Sequence, residues 1–403
     1  MANTILEEKW EGNYYLKLKS EFDSRLAMAN IHSALLVEDF NFNSPMFIIR
    51  FTDALGDLIT HNRISPDAEY RLISGVNEQN AMAFDYSLSK NKFQTQSPGK
   101  PENILSQIYF ISSQWKELIG IKRHRSWNQV RYSEVVREIA NNLGFDEIDI
   151  EETDGVFNVI QPGWTDYQLM KWIVKRAVNS DGIGGFELGF TANGRFIFKT
   201  NHELNDQRPI KSFYFVGEDN PEDEDRPHFF NFEIVQDYAD LVKQAASGYR
   251  YGYYDFENKK YIKEEKLLSD TDQRQLSDWT YVAESHEGPD NFYYGGRELD
   301  TPEKIQNRIL TASNSIQKVK IDIKGDMSIH IGDIVKLYIS PTEHSKKPIN
   351  EFYSGHYMVT KVSHEFQFGQ TSFITQLQLS RQGINGNDVE GFVETSAGKQ
   401  IRK

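Results

Sequence analysis

The feature that most restricts the fold is an alternating run near the C-terminal end. HYMVTKVSHEFQFGQTSFITQLQLSR, residues 356–381, reads as two strands around a turn centred on Phe368-Gly369. Side chains on a strand point to opposite faces in turn. Pairing the halves through that turn sets Phe366 opposite Thr371, His364 opposite Phe373, Val362 opposite Thr375, Thr360 opposite Leu377 and Met358 opposite Leu379. That face is mostly apolar. The other carries Glu365, Lys361, Tyr357, Ser372, Gln376, Gln378 and Ser380. A slip of one residue would exchange the faces, so the register is strongly specified. His356, His364 and Glu365 raise the question of a metal or acid–base site. The two histidines are roughly 26 Å apart on a straight strand, and Glu365 points away from His364. They cannot hold one ion, and the hairpin reads as barrel wall.

The preceding stretch has the same period. In IQKVKIDIKGDMSIHIGDIVKLYIS (316–340), Ile316, Lys318 and Lys320 share one face, and Gln317, Val319, Ile321 and Ile323 the other. The chain has 403 residues, of which 13% are aromatic, including 26 Phe and 20 Tyr. That composition favours strands, and the length allows two to four domains. No apolar run is long enough for a membrane span, and MANTILEEKWEG lacks a signal-peptide pattern. The absence of cysteine excludes disulfides, Cys-ligated zinc and a thiol nucleophile. A net charge of −14 argues against general nucleic-acid binding.

Along the chain, residues 1–30 are mixed and charged and read as an N-terminal arm. Strand signals at 33–60, 69–75, 81–89 and 107–115 suggest a first antiparallel barrel over 31–120. The character then changes to an α+β insert over 121–210. A helix is expected over 132–145, with Ser133 as N-cap, Gly144 as stop and a stripe of Val135, Val136, Ile139, Ala140 and Leu143. A second is expected over 164–180, with Thr165 and Gln168 as capping box and Leu169, Met170, Ile173, Val174 and Ala177 facing the core. GFELGFTANGRFIFKT (185–200) is a hairpin turning at Asn193-Gly194. Strands resume at 211–217 and 229–238, flanking the acidic loop 217–227. Together, 211–248 and 310–381 make a second barrel. Residues 249–309 form an inserted segment: a Tyr-rich hairpin turning at Glu257-Asn258-Lys259, then a helix starting at Thr301-Pro302. Residues 382–403 read as a tail, flexible or held by a partner.

None of the chemical motifs is specific. Arg123, His124, Arg125 and Arg131 form a basic cluster, but in an acidic chain they read as a solvated connector. GIGGFELG (182–189) has glycines without the helix and Lys-Ser/Thr of a phosphate loop. Loop 217–227 lacks EF-hand spacing. His286, Glu287 and Asp290 have no second histidine at metal-ligand spacing, and neither HExxH nor GxSxG occurs. The expectation is therefore no catalytic, cofactor-binding or metal residue, no cofactor and no enzymatic activity. Two other classes stay open: a cell-wall hydrolase with an unsignatured carboxylate pair, and a carbohydrate-binding protein stacking sugars on the 249–261 tyrosines.

The order of elements carries a resemblance. A strand pair marked by Gly325, Gly332 and Asp333 is followed by Gly355, Tyr357, Val359, Val362 and His364, and then by Thr375, Leu377 and Leu379. This order over about 30–381, with the 164–180 and 301–315 helices, resembles the central baseplate hub proteins of contractile-tailed bacteriophages. These include the T-even central hub and the tail protein D family, related to the N-terminal part of type VI secretion spike proteins. The resemblance implies a mainly β α+β fold with two tube-like barrels. It also implies a homotrimer whose six barrels form a pseudo-sixfold ring between the sixfold tail tube above and the threefold central spike below. Tail tube protein, spike, and baseplate wedge or other hub proteins would be its partners. DNA would pass through the lumen without specific binding. The location implied is the virion, after synthesis in the host bacterial cytoplasm. A hub of a phage-like injection system and a tail-associated cell-wall hydrolase are the alternatives. The sequence shows no OB-fold, lysozyme or β-helix segment, so the expectation is a separate spike.

Overall fold

The computed structural model describes residues 3–10, 14–20, 30–41, 44–53, 69–75, 82–95, 104–145, 147–215, 227–235, 248–255, 259–267, 294–296, 317–339, 353–368, 372–381, 392–394 and 400–402. The fold is α+β and mainly β. Seven antiparallel strands come first: β1 (Asn3–Trp10), β2 (Tyr14–Ser20), β3 (Asn30–Asp39), β4 (Met46–Asp53), β5 (Glu69–Gly75), β6 (Met82–Thr95) and β7 (Ile104–Ser112). Their order in the sheet is β1-β2-β5-β6-β7-β4-β3. Within the stretch that reads as an arm, β1 and β2 pair as a hairpin and β2 pairs with β5. Leu36, Phe47, Ile49, Phe51, Ile108 and Phe110 alternate inward and are buried together.

The strand expected over 107–115 stops at Ser112. Its hydroxyl accepts a hydrogen bond from the Trp115 amide at 3.2 Å and caps α1 (Ser113–Gly120). Next come β8 (Lys122–Val130), α2 (Tyr132–Asn142), β9 (Glu147–Ile150), β10 (Phe157–Thr165), α3 (Asp166–Val174), β11 (Phe186–Phe190), β12 (Arg195–Thr200) and α4 (Asn201–Asn205). β8 pairs with β10, and β12 pairs with β11 and, in parallel, with β9.

The expected stripe of α2 is buried in full, and Gly144 takes the left-handed φ of +70° just past the helix. Its N-cap is Arg131, not Ser133. The Glu134 carboxylate accepts the Arg131 amide at 2.9 Å, while the Ser133 hydroxyl donates to Glu152 at 2.9 Å. Ser133 thus ties the helix to the next segment instead of capping it. In α3 the Thr165–Gln168 capping box forms as expected. The helix ends at Val174, short of the expected 180, and Ala177 is still buried. The β11–β12 hairpin turns at Thr191–Gly194, with Gly194 at φ +82°.

The chain then forms β13 (Lys211–Phe215) and β14 (His228–Val235), followed by β15 (Gly248–Asp255), β16 (Lys260–Leu267) and β17 (Tyr294–Gly296), which make a small separate sheet. Lys259, in the expected turn of the Tyr-rich hairpin, has φ +52°. Last come β18 (Gln317–Lys324), β19 (Ile334–Ile339), β20 (Gly355–Gln367), β21 (Ser372–Arg381) and, in the C-terminal stretch, the hairpin of β22 (Phe392–Glu394) and β23 (Gln400–Arg402). The helix expected over 301–315 and all but the last residue of the acidic loop 217–227 lie outside the described residues.

Six strands close on themselves in the order β20-β19-β13-β14-β18-β21, with β21 returning to β20. In β18, Gln317, Val319, Ile321 and Ile323 are buried, as the alternation requires. The 356–381 hairpin forms with its register displaced by two residues. Phe366 faces Phe373, His364 faces Thr375 and Val362 faces Leu377. From Lys361 to Gln367 this even displacement leaves each side chain of β20 on its expected face, and it stacks the Phe366 and Phe373 rings at 4.5 Å between centroids. Between Val359 and Lys361 a bulge breaks the alternation. Tyr357, expected on the polar face, is consequently fully buried.

Candidate functional site

The longest element of the second half, β20, belongs to two β-systems at once. On one side it pairs with β21 from Met358 to Gln367. On the other, Gly355–Met358 pair with β19 and Lys361–Gln367 pair with β3. One sheet therefore runs from the seven N-terminal strands into the closed barrel. The exchange of partners falls at the bulge, where a ladder would leave backbone groups unmade. Here they are satisfied. The Val359 amide donates to Asp333 O at 2.9 Å, Gly332 N–H donates to Val359 O at 2.9 Å, and Phe40 N–H donates to Thr360 O at 3.3 Å.

A charged junction sits beside this exchange. Glu38, at the end of β3, is 0% exposed. Its carboxylate accepts from the Ala192 amide of the β11–β12 turn at 2.7 Å and the Ile331 amide at 3.1 Å, and lies 2.8 Å from His330 Nδ1. Asp333 accepts from the His330 amide at 2.8 Å and lies 3.6 Å from the Arg195 guanidinium of β12. Arg195 also pairs with Asp149. Apolar contacts surround these bonds. Gly189 lies against Phe40 and Ile331 so closely that a Cβ would come within 2.6 Å of the Phe40 ring. Gly332, at φ +84°, abuts Ile197 and Leu204 of the insert.

Burial opposes ionisation of Glu38, but the His330 charge and hydrogen bond and the Ala192 amide hold its carboxyl below the usual range. Burial likewise opposes a charge on His330, and Glu38 and Asp333 outweigh it, so the imidazole is pushed up. Asp333 is pushed up by its own burial. His364, also fully buried and 2.9 Å from Thr375 Oγ1, is pushed down to about 4 by burial.

The candidates legible in the sequence are not brought together. His356 stands opposite Lys336 on β19, and His364 stands further along β20 opposite Leu36 and Thr375. Arg123 and Arg125 both pair with Asp166, and Arg123 reaches Glu117 at 2.8 Å. Arg131 and Arg137 share Glu152. The basic cluster is thus neutralised within the insert. His124 lies over Gly163. The glycines of 182–189 serve turns at Gly182 and Gly185 and the close approach at Gly189. His286, Glu287 and Asp290 lie outside the described residues. Among the described residues no group of three or more His, Cys, Asp or Glu is arranged to hold a metal ion, and no helix is long and apolar enough to cross a membrane. The junction itself was missed. Glu38 at an inward position of SALLVEDF, a charge inside an apolar alternation, was the signal for it.

Fold and junction define a mainly β scaffold, in which a closed six-stranded barrel shares a strand with a second antiparallel system and an α+β insert is braced against both. That architecture is similar to the fold of two solved tail proteins. The tail protein from Neisseria meningitidis MC58 is 8% identical, with a TM-score of 0.58 over 93% of this chain and 99% of that one. The 43 kDa tail protein of prophage MuSo2 from Shewanella oneidensis is 10% identical, with a TM-score of 0.55 over 92% and 98%. No protein-family model matches the chain, and no curated protein sequence does.

Proposed function

We propose that this chain is the central baseplate hub of a contractile tail, a structural protein of the virion. Three copies form a ring whose six β-systems meet the sixfold tail tube above and the threefold spike below, with DNA passing through the lumen. In this reading residues 31–120 and residues 211–248 with 310–381 are the two tube-like domains, and 121–210 is the insert. Residues 249–309 are a second insertion, residues 1–30 add the β1–β2 hairpin to the first β-system, and 382–403 follow the second. The chain carries no catalytic or cofactor chemistry of its own. Its partners are its own copies, the tube, the spike and neighbouring baseplate proteins.

The observation that carries this reading is the shared strand β20. It fuses the two β-systems into one wall with no hinge between them, as a rigid adaptor needs. Likeness to two tail proteins over nearly their whole lengths supports the setting. The net charge of −14 suits a conduit that must not hold phosphates. Native mass measurement and an averaged image of the assembled tail tip test it. Three copies around the axis are expected, and a single copy per particle would sink the proposal.

A further inference from the structure

We propose that the Glu38 carboxylate is an acid-released latch. It holds the β11–β12 turn and the 325–333 loop against β3, and proton uptake at the junction frees that turn while the six-stranded barrel stays closed. The inference is independent of the ring reading.

The geometry is that of a latch because one buried carboxylate reaches two parts of the chain that no strand pairing joins to β3. Ala192 belongs to the insert, and His330 and Ile331 to the loop between β18 and β19. A further polar link between insert and wall, Arg195 to Asp333, also depends on a carboxylate. The charged and titratable groups around the latch come from every element packed there. Glu38 is faced by His330, by His364 of β20 and by Tyr86 of β6. His330 is faced by Glu38, Asp333 and Arg195. His364 is faced by Glu38, His330 and Asp326, and Asp326 is itself held by Lys211.

Acid acts on this set in one direction. As pH falls, Asp333 takes its proton early because burial raises it. His364 becomes cationic at about 4, and Glu38, held below its ordinary value by His330 and the Ala192 amide, is protonated as the solution becomes more acid. His330, His364 and Arg195 are then three cations around two neutral carboxyls, in a setting with little water to screen them. The β11–β12 turn is the part free to leave. Barrel closure rests on backbone ladders and an apolar interior of Val319, Ile321, Leu337, Val359 and Leu377, none of which titrates.

Hydrogen–deuterium exchange on the full chain at pH 7 and along a series down to pH 3, corrected for intrinsic rates, tests the latch. Exchange at Ala192 and Ile331 is expected to rise about tenfold or more in acid, the scale of one lost charged hydrogen bond, with β18–β21 still protected. Glu38→Gln should show the same local pattern at pH 7. Unchanged protection of Ala192 and Ile331 in Glu38→Gln overturns the proposal, and so does barrel exchange rising in step with theirs as the pH falls. Should Glu38→Gln not fold, His330→Asn removes the cation that keeps Glu38 ionised. The latch then opens at higher pH than in the parent, and an unmoved opening midpoint refutes it.

Discussion

Gly325 has no room for a side chain, since a Cβ there would sit 2.0 Å from the Phe373 ring. Phe373 is stacked on Phe366 and cannot swing away without breaking that pair. Gly325→Ala should therefore cost about 3 kcal/mol, at the upper end of ordinary overpacking, read as a lower urea midpoint. Gln317 predicts the opposite sign. Its side chain is buried, and among the described residues neither amide atom has a hydrogen-bond partner. Replacing it with leucine removes a desolvation cost of roughly 1–3 kcal/mol and adds apolar contact at the start of β18. Gln317→Leu should raise the urea midpoint, and a fall would show that the amide is satisfied in solution. Neither effect is legible in the sequence. Gly325 looks like any turn glycine, and Gln317 was correctly placed on the inner face with no hint that it is unpaired.

The second helix of the insert makes its prediction at the scale of an element. Thr165 accepts from the Gln168 amide at 3.2 Å, and Gln168 returns a bond to the Thr165 amide at 3.0 Å. Thr165→Ala should cost about 1 kcal/mol, measured by chemical denaturation, with Thr165→Ser largely restoring it. Local signals of this kind were read well, because a capping box or an Asn-Gly turn is decided by neighbours in sequence. The first helix shows the limit. Ser133 has the right chemistry for a cap, but Glu152 and Thr153, some twenty residues on, compete for it and win. The β20–β21 register failed in the same way. Alternation fixed the faces, while the pairing moved by two residues to stack Phe366 on Phe373, and the bulge at the exchange of partners buried Tyr357.

For the whole molecule, the buried histidines shape stability against pH. His364 is near 6.5 when unfolded and about 4 when folded. Between those values the unfolded chain binds the extra proton, so stability falls as pH drops through that window, by up to roughly 3 kcal/mol. His330 has the opposite sign. Its folded value is raised, so its contribution is complete below about 6.5 and fades as pH rises through the folded value. The urea midpoint should thus be highest near neutrality and decline toward pH 4. In His364→Asn the acid decline should be shallower, and an identical slope would remove His364 as its cause.

What the sequence determined alone was periodic and local: strands that alternate, helices with stripes and caps, a hairpin too long for its two histidines to meet, and an order of elements like that of tail hubs. These follow from side chains a few residues apart, whose spacing fixes which face they share. Tertiary structure alone decided which edges meet. Whether β20 pairs with β3 as well as β19, and whether six strands close, depends on backbone hydrogen bonds that every residue type offers equally. The Glu38 junction depends on groups 154 and 292 residues distant. Nothing near Glu38 in sequence announces them, and folding alone makes that buried carboxylate tolerable.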